Sequence, residues 1–125
     1  MFTPVVGFVP ENYPKHIQLG FGRNSIGYSL CYGGLYFEHD SVKDFGPKCN
    51  VGDRIHCEIR KQEALKPYNT ELNAFFVRNG EVVLKQKIYS AISTGTNVQR
   101  YPAIELHYPG QKVKVVTDHM DIPRS

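Results

Sequence analysis

The chain has 125 residues, of which 41% are hydrophobic and 22% are charged. This length fits one domain with a buried core, and the composition is that of an ordinary globular protein. Lys and Arg number 15 against 12 Asp and Glu, which gives a net charge of +3, and the basic residues are scattered along the sequence. Proteins that bind nucleic acid cluster such residues, so we expect no nucleic-acid partner.

The cysteines and the amino-terminal residues indicate the cellular compartment in which the protein is expected. Cys31, Cys49 and Cys57 are odd in number and form no Cys-x-x-Cys pair, which favours a reduced, intracellular setting, cytoplasmic or nuclear. The first residues lack a basic start and a long apolar run, so we expect no signal peptide. No segment has the length and hydrophobicity of a membrane span, and we expect no membrane partner.

The first half of the chain predicts short strands separated by turns. Val5 to Val9 is an apolar run between prolines and suits a strand of about five residues. Prolines and glycines from Glu11 to Arg23 predict a long loop. Ser25 to Tyr32 alternates apolar with small residues, as a strand does. Gly33-Gly34 predicts a two-residue hairpin turn, after which Leu35 begins the returning strand.

The second half continues in the same way. Arg54 to Arg60 shows the clearest alternation of apolar and polar residues. The strongest hairpin turn is Asn79-Gly80, because both residues accept positive φ. Polar residues from Glu63 to Leu72, with Pro67 among them, predict a surface insertion. The remaining predictions are the strands Ala74–Val77, Val82–Leu84, Ala103–His107 and Lys112–Thr117, the loop Ser90–Gln99 and a tail at residues 118–125.

These segments predict a single domain over residues 1–125, with its core at about 5–116. The fold class is all-β: a bent β-sandwich of two antiparallel sheets, with aromatic residues enough to fill its interior. Alternation along each strand assigns the side chains that face inward. They are Val6, Phe8, Ile26, Tyr28, Ile55, Cys57, Ile59, Phe76, Ile104, Leu106, Val113 and Val115.

Several motifs occur in an order typical of one family. Leu19-Gly20-Phe21 precedes Ser25-Ile26-Gly27-Tyr28, and Phe45-Gly46-Pro47 follows. Further along stand Phe75-Phe76-Val77-Arg78-Asn79-Gly80 and Tyr101-Pro102-Ala103-Ile104. In this order they resemble a SPRY domain of the B30.2 group, which has a concanavalin-like sandwich fold. That family usually has further strands before the position of Val5, so we expect either a fragment or a shortened member.

The resemblance implies a function and its residues. SPRY domains hold a partner's peptide with loops at one end of the sandwich, as substrate receptors in ubiquitin ligases or as scaffolds. By position, these loops are Glu11–Leu19 and the turn at Tyr108–Gly110, and an uncovered sheet edge would allow an edge-mediated dimer. The candidate partner-binding residues are Tyr13, Pro14, Lys15, His16, Arg23, Tyr108, Pro109 and Gly110.

Other functions have weaker support in the sequence. Gly20 to Ser25 lacks the third glycine of a dinucleotide loop and the lysine of a P-loop. No histidine and cysteine set has metal-ligand spacing, and no nucleophile, base and orienting group come together. We therefore expect no enzyme, cofactor or metal. A carbohydrate-binding, lectin-like sandwich is the alternative, because lectins share this architecture.

Overall fold

A computed structural model of the protein describes residues 4–39, 41–63, 70–91, 99–106 and 110–112. Eight strands and no helix occur in these ranges. In chain order the strands are β1 (Val5–Pro10), β2 (Ile26–Ser29), β3 (Gly34–Phe37), β4 (Val42–Phe45), β5 (Ile55–Glu63), β6 (Thr70–Arg78), β7 (Glu81–Ala91) and β8 (Arg100–Glu105).

The strands form two antiparallel sheets of unequal width. The five-stranded sheet has the order β4-β3-β2-β1-β8, and the three-stranded sheet has the order β5-β6-β7. All pairs are antiparallel, from β1 with β2 to β6 with β7. The predicted fold class, an all-β sandwich of antiparallel sheets, is confirmed.

The core lies between the sheets and is built on the alternation of β1. Val6 pairs with Tyr28 of β2, and the Tyr28 ring meets the ring of Phe76 from the other sheet at 5.4 Å in an edge-on arrangement. Such aromatic pairs add to the free energy of burial. The fully or nearly buried members of this core are Val6, Phe8, Ile26, Tyr28, Leu35, Ala74, Phe76, Leu84 and Ile88.

Most predicted inward residues lie in or against this core, but two do not. Ile55, Cys57 and Ile59 are half-buried and pack on it. Ile104 and Leu106 are each 44% exposed, so the prediction for them was wrong. Ile104 pairs with buried Val6 and lies on the core side of its sheet, but it belongs to the strand that ends this sheet within the described ranges. Two further predicted residues, Val113 and Val115, fall outside the described ranges.

Strand boundaries differ from the sequence predictions in three places. The turn after β2 is completed by Gly33, with φ of 80°, while Gly34 already pairs with Phe45 in the sheet. The edge strand β4 was not predicted, because its four residues are all exposed and show no alternation. The hairpin strands β6 and β7 run further than predicted, into both polar segments that were assigned to loops.

Candidate functional site

The loop that joins β1 to β2, residues 11–25, is organised around one hydroxyl group. The Tyr13 hydroxyl donates to the carbonyl of Gln18 at 2.6 Å and accepts from the N–H of Gly22 at 2.9 Å. A turn bond from Ile17 N–H to Pro14 O, at 3.2 Å, shapes the tip. Hydrogen bonds between distant loop positions restrict backbone freedom, so this loop, which we call the β1–β2 loop, has a defined conformation.

The β1–β2 loop lies against the outer face of the five-stranded sheet. Leu19 is only 4% exposed there. Its carbonyl comes so close to Gly27 of β2 that a Cβ at Gly27 would lie 2.7 Å from the oxygen. Phe21 packs on the ring of Tyr36 with centroids 5.1 Å apart. Glycine at position 27 is therefore what allows the loop to seat on the sheet.

Two side-chain bonds tie the loop to β8. Glu105 Oε1 accepts from the N–H of Leu19 at 2.8 Å. Arg100 Nε donates to the carbonyl of Asn24 at 3.2 Å. The two bonds join residues at opposite ends of β8 to opposite ends of the loop's second half, so loop and strand are held together as one unit.

Between the loop and β8 lies a groove of about 330 Å³, which we call the β8 groove. Most of its lining residues are apolar, and Ile104 and Leu106, which are each 44% exposed, are among them. Lys15 and Glu105 are its charged residues. The lining comprises Val9, Tyr13, Pro14, Lys15, Ile17, Leu19, Ala103, Ile104, Glu105 and Leu106.

The candidate residues from the sequence divide into three groups. Tyr13, Pro14 and Lys15 line the groove. His16, Arg23 and Gly110 are exposed but do not line it. Tyr108 and Pro109 lie outside the described residues. The binding role of all these positions stays a prediction.

Sequence reasoning missed the apolar half of the groove. Ile17 carries no sequence signal of a groove, because a single apolar residue in a polar loop is common. Ile104 and Leu106 were assigned to the core from their alternation. Pro102 is the sequence signal that could have indicated their exposure. Proline within a strand indicates an edge position, and residues on edge strands are more exposed than those on central strands.

Within the described ranges the lining of the groove contains no His or Cys, and Lys15 and Glu105 are its charged residues. Among the residues that the structure describes, no three His, Cys, Asp or Glu side chains come together as a metal site. Those residues also form no helix with the length and hydrophobicity to cross a bilayer. Two groups with raised pKa lie away from the groove: burial raises the pKa of Cys57, which packs against the core, to about 12, and burial also raises the pKa of the core residue Tyr28, beside Cys49.

Comparisons with known proteins agree with this architecture. No family model matches the chain. SPRY domain-containing protein 3 of Homo sapiens and that of Pongo abelii are each 31% identical to it over 116 residues. The match covers 90% of this chain, and the chain spans 24% of the length of those relatives.

A solved structure shows the same fold. The crystal structure of a human SPRY domain superposes with a TM-score of 0.62 at 30% identity, covering 85% of this chain and 61% of that chain. SPRY domains are in general protein-interaction domains, and the homology supports that general role. The chain is therefore homologous to SPRY domain-containing protein 3 and has the fold of a SPRY domain.

Proposed function

We propose that the chain is a non-catalytic interaction module that binds a short peptide or exposed loop of a partner protein in the β8 groove. The observation that supports this most is the exposure of Ile104 and Leu106, 44% each, beside a concavity. Burying apolar surface is favourable by about 25 cal/mol per Å². Large exposed apolar residues at the border of a groove therefore favour an apolar side chain of a partner.

The rigidity of the walls supports the same function. The Tyr13 hydroxyl fixes the loop, and the bond from Leu19 to Glu105 fixes the loop on β8. A preformed surface lowers the entropy lost on binding, so less interaction energy is needed for a given affinity. Such a module would serve as a substrate receptor or scaffold in a ubiquitin-ligase or other complex. Its free cysteines suit a reduced, intracellular setting.

The experiment is a selection from a phage-displayed library of random linear peptides on the immobilised chain. Enriched peptides are then tested on Ile104→Asp and on the matched control Val82→Asp. Val82 has a similar exposure of 40% but lies on β7 in the other sheet. We expect Ile104→Asp to weaken binding about tenfold or more and Val82→Asp to leave it unchanged.

Two results would contradict the proposal. The first is a library that yields no peptide, together with a glycan array that retains the chain, which would favour a lectin. The second is a set of peptides that bind both variants equally. Melting temperatures of the two variants, measured by circular dichroism, separate a loss of binding from a loss of folding.

A further inference from the structure

The turn between β6 and β7 contains the one Asn-Gly pair of the sequence, Asn79-Gly80. An asparagine side chain is open to attack by the backbone nitrogen of the next residue. That nitrogen loses its proton to solvent and bonds to Cγ, the bond from Cγ to Nδ2 breaks, and ammonia leaves a five-membered succinimide ring. Glycine hinders this attack least, because it has no Cβ beside its nitrogen. Both residues are exposed, so the pair is chemically labile and open to solvent.

The side-chain amide of Asn79 is held at both ends by the residues that precede β5. Its Oδ1 accepts from the N–H of Arg54 at 2.9 Å, and its Nδ2 donates to Asp53 Oδ1 at 3.0 Å. The backbone N–H of Asn79 also donates to the carbonyl of Arg54 at 2.8 Å. These three bonds, which we call the Asn79 clamp, fix the turn against the start of β5.

The carboxylate in the Asn79 clamp is itself anchored. Asp53 Oδ2 accepts from the N–H of Asn50 at 2.7 Å and from Arg78 Nε at 3.0 Å. Asp53 therefore stays in place when the Asn79 amide rotates, and rotation breaks the bond between them. Hydrogen bonds to a charged acceptor are stronger than those between neutral groups, so leaving the clamp has a free-energy cost.

The backbone of the turn opposes ring closure as well. Asn79 has φ of 50°, in the left-handed region, where ψ is about +47°. At that ψ, tetrahedral geometry at Cα places Cβ and the Gly80 nitrogen on opposite sides of the Cα–C bond, whereas the ring needs them on the same side. Attack therefore requires the backbone to leave the turn conformation and the amide to leave the Asn79 clamp.

The products of the reaction do not fit the clamp. One water opens the ring at either carbonyl and gives aspartate or isoaspartate. Aspartate puts an oxygen in place of Nδ2, which lies 3.0 Å from Asp53 Oδ1, and like charges that close repel. Isoaspartate adds a methylene to the main chain, and the length of a two-residue turn fixes the register of its strands. Either product disfavours the closed turn.

We propose that Asn79 is a deamidation site that the Asn79 clamp gates. The closed hairpin end suppresses the reaction, opening of that end permits it, and the product then keeps the turn from regaining its original bonds. The reaction consumes one water and releases one ammonia, and it needs no oxidant or reductant. Deamidation at this site is thus a lasting chemical record of each opening of the hairpin end, separate from peptide binding in the β8 groove.

The gate is tested by peptide mapping with mass spectrometry, which measures the conversion of residue 79 while the full chain is incubated at mildly alkaline pH. We expect conversion to be about tenfold or more slower in the folded chain than in urea. Asp53→Ala removes the acceptor of Nδ2 and should speed conversion in the folded chain about fivefold or more. The control is Tyr13→Phe, which removes hydrogen bonds in the β1–β2 loop and should leave the rate unchanged.

Two outcomes of this mapping would overturn the proposal. Equal rates in the folded chain and in urea would show that the fold does not suppress the reaction. Equal acceleration by Asp53→Ala and Tyr13→Phe would show that general loss of stability, and not the Asn79 clamp, controls it.

The effect of the product is tested with Asn79→Asp by thermal melts over a pH series. We expect this variant to melt about 4 °C or more below the natural chain at neutral pH. The difference should shrink in acid, because a protonated carboxyl donates to its neighbour as the amide did. A variant that melts with the natural chain at neutral pH, or a difference that does not change with pH, would overturn the repulsion at the clamp.

Discussion

The carboxylate of Glu105 accepts a hydrogen bond from the backbone N–H of Leu19 at 2.8 Å, across 86 positions of sequence. Glu105 lies on edge strand β8, and Leu19 lies in the β1–β2 loop with only 4% of its surface exposed. Both residues line the β8 groove. One side chain thus holds the two walls of the groove at a fixed distance, and the shape of the groove depends on it.

Replacing Glu105 with Ala removes the only described acceptor of a largely buried N–H. Leaving such a donor without a partner costs about 1–3 kcal/mol, so we expect the free energy of unfolding to fall by that amount in a urea titration. Glu105→Gln keeps an amide oxygen at the same place and should lose less. If Ala and Gln variants unfold at the same urea concentration as the natural chain, the bond does not hold the loop.

The Tyr13 hydroxyl should matter more for folding than for direct contact. Tyr13→Phe deletes both the bond to Gln18 and the acceptor for Gly22 N–H, and we expect a loss of about 1–3 kcal/mol in unfolding free energy. The control is Tyr101→Phe, at a tyrosine that is 41% exposed on β8. A Tyr13→Phe protein as stable as that control would show that the loop is held by other contacts.

We expect the stability of the fold to depend on pH through Asp53, which lies at the hairpin end of the three-stranded sheet. Asp53 accepts from Asn50 N–H at 2.7 Å, from Asn79 Nδ2 at 3.0 Å and from Arg78 Nε at 3.0 Å. These bonds favour the charged carboxylate and lower its pKa from the usual 3.8, the backbone bond from Asn50 most of all.

A carboxyl whose pKa is lower in the folded state stabilises the fold above its unfolded pKa. That contribution is lost as the pH falls through the lower, folded pKa. We expect Asp53→Asn to be less stable than the natural chain at neutral pH and the difference to shrink once the pH falls below 3.8. Thermal melts over a pH series measure this. A difference that stays constant across the series would contradict the assignment.

The three cysteines should differ in reactivity. Cys31 is exposed, whereas burial raises the pKa of Cys57 to about 12 and also raises the pKa of Cys49. Because the thiolate is the reactive form, iodoacetamide at mildly alkaline pH should alkylate Cys31 first and Cys57 only after unfolding. Mass spectrometry of the digested protein locates the label. Equal labelling of Cys31 and Cys57 in the folded protein would contradict the raised pKa of the Cys57 thiol.

Local chemistry explains which parts of the fold could be predicted from sequence. Asn79-Gly80 forms a hairpin turn with φ of 50° and 85°, as its residue types require. The alternation of Ile26 and Tyr28 placed both side chains in the core, where neither has measurable exposure. Each of these features depends on residues close together in the chain.

The groove depends instead on contacts between elements that are far apart in the chain. Ile104 alternates like a core residue, yet it is 44% exposed and lies on the outermost described strand of its sheet, opposite a sheet with three described strands. Leu19 sits in a segment rich in glycine and proline, and its burial follows from the close approach to Gly27. Sequence alternation carries no information on either relationship, since both arise from packing between separate elements.

The most direct test of the central claim is a titration of the isotope-labelled chain with the most enriched library peptide, followed through its backbone amide resonances. The account predicts the largest shifts in two segments, Tyr13–Ile17 and Ala103–Leu106, and unchanged resonances on β4 at the opposite edge of the same sheet. Shifts concentrated on β4 or on the three-stranded sheet, with the groove segments unchanged, would contradict it.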